Sequence, residues 1–182
     1  MGVERGTATQ RRAQAIGSGM RAFADHGLTT SAIQRVADEI GVSQPYVFRL
    51  FGSKQLFFLA CLDELEDRVR GVFRQAAASS PTDPLTAMGA GFRDLVADGV
   101  ISGLWLQACA TARNDAQVAQ RCRSLIAGVL DEAERMTRTT PDDLARFAAR
   151  GALVVLLQAV GADLTQGSLA AVDSLRVQPA IP

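Results

Sequence analysis

The chain has 182 residues, 48% of them hydrophobic, with 19 basic and 19 acidic side chains, one histidine and three cysteines. That length holds a small domain of about 50 residues beside a larger one, and scarce proline with no strand-like alternation makes the expected fold class all-α. One histidine (His26) and three cysteines without CxxC spacing indicate no metal site and no cofactor, and the most apolar stretch, Gly151 to Ala162, contains Gln158 and is too short for the roughly 20 residues of a membrane span.

The N-terminus, MGVERGTATQRR, is polar and lacks the apolar core of a signal peptide, so a cytoplasmic protein with a disordered tail over residues 1–8 is expected. Ile16, Met20 and Phe23 recur at helical spacing and predict a first helix from about Thr9 to His26. Ala32, Ile33, Val36, Ala37 and Ile40 mark a second, with Thr30 or Ser31 as its N-cap and Gly41 as its stop. Ser43 offers another N-cap, and Pro45 falls in the following first turn, where a missing N–H costs nothing. This third helix buries Val47, Leu50 and Phe51 and ends at Gly52. Ser53 then caps a long helix running from Lys54 to about Ala78, and SSPTDP over residues 79–84 reads as a loop.

Two short helices joined by a Gly-containing turn are the helix-turn-helix pattern, whose second helix enters a major groove. Spacing alone is equally compatible with a plain pair of amphipathic helices. The outward residues of the third helix add chemistry: Gln44 suits adenine, the Tyr46 ring can pack on a thymine methyl, and the Arg49 guanidinium suits guanine or phosphate. Residues 1–54 carry seven Arg or Lys against four Asp or Glu, and residues 55–182 carry twelve against fifteen. The basic excess thus falls on the motif half, as phosphate neutralisation requires.

Beyond residue 84, helices are predicted from about Pro84 to Ala97, Ile101 to Arg113, Ala116 to Arg138 and Pro141 to Ala162, with at most one short helical turn in the tail from Gly167. Cys61, Cys109 and Cys122 lie in apolar helical segments, where buried reduced thiols are the default and a redox or covalent sensor is the alternative. Met88, Phe92, Trp105 and Cys109 could line an apolar cavity with Gln107 or Arg93 as polar anchor, or simply fill the core. Phe147, Leu153, Val154, Leu157 and Val160 wrap most of the last helix, which demands burial on two sides, inside a core or against a second subunit.

The segment from Phe23 to Lys54 resembles the DNA-binding domain of the tetracycline-repressor (TetR) family of bacterial transcription regulators. The resemblance rests on Gly27, Ser31, Val36, Ala37, Gly41, Val42, Ser43, Phe48, Phe51, Ser53 and Lys54; Pro45 and Phe48 stand where the family often has Gly and Tyr. It implies a three-helix DNA-binding domain over residues 1–54 and a helical ligand-binding and dimerisation domain over residues 55–182. On that reading Ser31, Gln34, Ser43, Gln44, Pro45, Tyr46, Phe48, Arg49 and Lys54 face DNA, with Ser31 and Lys54 on the backbone. Met88, Phe92, Trp105, Gln107 and Cys109 would face a small hydrophobic effector, and the last helix would form a homodimer matched to a pseudo-palindromic operator. The expected function is a repressor released from double-stranded DNA by ligand, with no enzymatic activity and no membrane partner. A helical dimeric ligand-binding protein without specific DNA binding is the alternative.

Overall fold

The computed structural model describes residues 8–177, all of whose regular elements are helices. In chain order they are α1 (Ala8–His26), α2 (Thr30–Glu39), α3 (Gln44–Phe51), α4 (Lys54–Ser79), α5 (Pro84–Val96), α6 (Val100–Ala112), α7 (Ala116–Thr137), α8 (Pro141–Ala159) and α9 (Ser168–Val177). The expected tail falls almost wholly outside the described residues.

Two expectations on the C-terminal side need correction. The last apolar helix stops at Ala159, where the backbone turns through Val160 to Gly161 at φ +72°, a conformation that favours glycine. The tail, expected to hold one turn at most, forms the ten-residue α9. Gly167 at φ +90° starts it afresh, and Ala171, 1% exposed, seats it on α8.

The chain forms two compact units that interleave along its length. The first comprises the described residues up to Glu66 together with Gly103–Leu125, and the second Asp67–Ser102 together with the described residues from Ile126 onward.

In the first unit, α1 to α3 and the start of α4 enclose Met20, Phe23, Ile33, Val36, Val47, Phe57, Phe58 and Leu62, all within 1% of complete burial. Phe23 meets Phe57 and Phe58 edge-on at 5.2 and 5.1 Å, and Phe51 stacks on Phe57 at 4.0 Å, geometries that add to the area these rings bury. Gly19 allows this approach, since a Cβ there would lie 2.5 Å from the Phe57 ring. From α6, Gly103 packs on Ala24, where a Cβ would lie 3.1 Å from the alanine methyl. On α7, Arg121 bonds Asp63 at 2.7 Å and Glu66 at 2.8 Å, tying that helix to α4.

In the second unit, α8 packs against α5 and α9. Phe73 meets Phe147 edge-on at 5.4 Å, and a Cβ on Gly91 would lie 2.7 Å from Val72. Glu132, 2% exposed, is held by Arg70 at 2.8 Å, Arg74 at 3.4 Å and by Arg135 one turn along α7. Burial by itself would raise its pKa, but the Arg70 hydrogen bond and the charges of Arg135, Arg70 and Arg74 outweigh that and hold it below the ordinary carboxylate value.

Candidate nucleic-acid interface

The outward face of α3 is set by how α2 and α3 begin and end. Thr29, rather than Thr30 or Ser31, is the N-cap of α2: its backbone is extended and its Oγ1 accepts from the Ala32 N–H at 3.2 Å. Ser31 lies one residue inside the helix, exposed, with its hydroxyl 2.9 Å from that of Thr29. At the other end Gly41 adopts φ +68°, and the Val42 N–H returns to the Ala37 carbonyl at 2.9 Å. This closes the α2 C-terminus and turns the chain toward α3.

Ser43 occupies the N-cap position of α3 but makes no side-chain cap bond. The reason is Pro45, which has no N–H to donate, while the Tyr46 N–H goes to the Ser43 carbonyl at 2.9 Å. The cap expected of its hydroxyl is therefore absent. Ser53 behaves as expected, accepting from the Leu56 N–H at 3.0 Å at the start of α4.

Val47 and Phe51 turn inward, 1% and 7% exposed. Leu50, expected inside, is half-buried. The opposite face of α3 carries exposed Pro45 and Arg49 and half-buried Gln44, Tyr46 and Phe48. The Arg49 guanidinium lies over the Tyr46 ring at 4.9 Å from its centroid, and the Gln44 side-chain amide donates to the Thr30 carbonyl at 3.4 Å. On α2, the exposed Gln34 amide donates to Asp38 Oδ1 at 2.7 Å. Lys54 is half-buried at the first position of α4.

Sequence reasoning missed two positioning residues. Arg11 donates to the Ile40 carbonyl at 3.0 Å, and Arg12 donates to the Leu50 carbonyl at 2.7 Å while lying 4.3 Å over the Phe51 ring. Each guanidinium meets the C-terminal end of a helix, where carbonyls lack intrahelical partners and the dipole is negative. They fix the ends of α2 and α3. Arg21 similarly pairs with Glu39, whose pKa is lowered first by the Ser18 hydroxyl at 2.8 Å and then by Arg21. Much of the basic excess of the N-terminal segment thus serves its own fold.

The five residues expected around an effector are divided between the units. Met88, fully buried, and Phe92 belong to the second; Trp105, Gln107 and Cys109 belong to the first. Gln107 faces the α1 terminus, since a Cβ on Gly27 would lie 2.9 Å from its Oε1. Cys109 is exposed, which corrects its expected burial, whereas Cys61 and Cys122 are buried. Burial raises the pKa of the Cys61 and Cys122 thiols, so both are held in the unreactive protonated form at neutral pH. Two surface depressions lie in the first unit, around Ser18 and Ile40 and around His26 and Arg35; none of the five lines either. Among the described residues no group of three or more His, Cys, Asp or Glu could hold a metal ion, and no single helix is long and apolar enough to cross a membrane.

Along α8, Val154 and Leu157 are buried, Phe147 and Leu153 are half-buried, and Val160 is 71% exposed. Leu156 is 56% exposed, and the neighbouring Ala152 and Ala159 are exposed too.

A three-helix unit whose third helix turns a polar face outward defines the class of helix-turn-helix DNA-binding regulators. Residues 16–61 match the model of the bacterial regulatory proteins of the tetR family. Over those residues the chain carries a TetR-family domain. Its fold is shared by a structure assigned to a TetR-family transcriptional regulator from Rhodococcus sp., at 18% identity and TM-score 0.69, covering 93% of this chain and 98% of that one. A TetR-like transcriptional regulator from Rhodococcus sp. RHA1 matches at 20% identity and TM-score 0.63, covering 96% of this chain and 100% of that one. A structure assigned to a transcriptional regulator from Saccharomonospora viridis, in complex with choline, matches at 15% identity and TM-score 0.64, covering 92% and 94%. No curated protein matches the chain significantly.

Proposed function

We propose that the chain is a cytoplasmic, non-enzymatic repressor that binds a pseudo-palindromic operator as a homodimer and releases it when a small hydrophobic molecule binds. The observation that carries the DNA-reading half is the two-sided character of α3. Its inner face is fixed by Val47, Phe51 and the Arg12 clamp, while Gln44, Tyr46 and Arg49 present groups that pair with base edges. Residues 1–54 would be the reading head, with Gln34, Pro45 and Phe48 at its margins and Ser31, Ser43 and Lys54 toward phosphates.

Dimerisation is supported by the apolar outer face of α8, where Leu156 and Val160 stand in solvent beside Ala152 and Ala159. Phe147, Leu153, Val154 and Leu157 would shape that helix from within. A two-fold dimer sets two reading heads on half-sites about one helical turn, or a multiple, apart. An effector is part of the proposal because the choline-bound structure shows that a protein of this fold takes a small ligand. Ligand would act by differential affinity for two states of the dimer.

A gel-shift titration against DNA upstream of its own gene tests the proposal. A specific shift that weakens steeply with salt is expected, as is its loss in the Gln44→Ala, Arg49→Ala double variant. A variant that binds as well as the wild type, or no shift at low salt, overturns it.

A further inference from the structure

Arg49 and Tyr46 are more than two separate outward side chains. They lie one turn apart on α3, and the guanidinium carbon sits 4.9 Å from the centre of the phenol ring, within the range of a cation–π contact. A guanidinium held over a ring loses less rotamer freedom when it binds. Tyr46 is half-buried, while Arg49 is exposed. The other face of α3 is immobilised by Val47 and Phe51 and by the Arg12 bond to Leu50.

From this we infer that Arg49 and Tyr46 act as one specificity unit, reading a guanine and an adjoining thymine in each half-site. This rests on the DNA-reading role proposed above and deepens it. Two steps lead there. Guanine is the base whose major-groove edge offers two acceptors, O6 and N7, matching the guanidinium fork. Three helical residues advance about 4.5 Å along the axis, close to the roughly 3.4 Å between successive base pairs, so the two side chains meet neighbouring pairs. A tyrosine ring has apolar area and one hydroxyl, and the base it distinguishes best is the one bearing an exposed methyl group. Gln44 is not part of the unit, because its amide donates back to the Thr30 carbonyl.

The test uses the full-length chain and selection from a random duplex pool, followed by titration of the selected sequence and its base analogues. The selected half-site is expected to contain a guanine next to a thymine. Replacing that guanine by 7-deazaguanine removes one acceptor and is expected to weaken wild-type binding roughly tenfold; the Arg49→Ala variant should not respond. Replacing the thymine by deoxyuridine removes only the methyl and should weaken wild-type binding about fourfold, with no effect on Tyr46→Ala. Tyr46→Phe, which keeps the ring, should retain both responses. A selected sequence whose guanine and methyl responses persist in the variants overturns this inference and leaves the DNA-reading role standing. Failure to enrich any sequence overturns both.

Discussion

The outer face of α3 in the first unit and those of α8 and α9 in the second differ in kind. In the first, the surface of α3 is polar or aromatic and its side chains already have partners: Arg49 on Tyr46, Gln44 on the Thr30 carbonyl. In the second, Leu156, Val160 and Leu169 stand in solvent at 56, 71 and 79% exposure. A polyanion is met by groups that exchange water for phosphate and base edges, so a DNA-facing helix keeps its apolar residues inside. A protein partner instead rewards removal of apolar area from water. The contrast follows in what holds each unit: stacked phenylalanines around Phe57 in the first, and a buried carboxylate ringed by arginines at Glu132 in the second.

The largest expected effect falls on the aromatic core. Phe57→Ala should cost about 3 to 5 kcal/mol, the usual range for deleting a buried ring, read as a lowered urea midpoint with loss of DNA binding. A loss below about 1 kcal/mol would show that the first unit does not depend on this core. Next comes Glu132→Gln, for which a loss of about 1 to 3 kcal/mol is expected, discounted because Arg74 and Arg135 are more than half exposed and can resolvate. Its pH signature is distinctive. Glu132 has a folded pKa below its unfolded one, so its contribution is fully present above the unfolded carboxylate value and disappears as pH falls through the lower folded value. Stability of the Glu132→Gln variant should therefore fall less steeply on acidification than that of the wild type.

Smaller effects separate the N-terminal positions of α2 and α3. Thr29→Ala removes an observed cap bond and should cost about 1 kcal/mol, whereas Ser43→Ala removes none and should cost a few tenths. Equal losses in thermal denaturation would undo that distinction. The smallest effect on the monomer is expected from Leu156→Glu with Val160→Glu, both in solvent. Sedimentation should nevertheless show the variant as a monomer where the wild type is a dimer. A variant that remains dimeric would remove α8 from the proposed interface.

Local signals made most of the helix boundaries legible. Gly41 and Gly52 sit at positive φ at the ends of their helices, Pro45 and Pro141 open theirs, and Ser53 caps α4 through the expected bond. Thr29 was missed because three hydroxyl residues stand together over residues 29–31, and only the backbone conformation tells which one lies outside the helix. Ser43 was read as a cap because its position fits one; the neighbouring proline withdraws the donor. Cys109 was misplaced because an apolar neighbourhood along the chain does not say which side of α6 meets water.

The sequence by itself determined α1 to α8, most of their punctuation and the polar outer face of α3, because caps, turn glycines and 3.6-residue periodicity act over a few residues. Tertiary structure alone decided what the arginines do. Arg11 reaches a carbonyl 29 residues away and Arg12 one 38 residues away, and three arginines converge on Glu132 from two helices. A count of charges cannot separate a guanidinium that holds a helix end from one that faces outward. That assignment depends on distances created only when the helices pack.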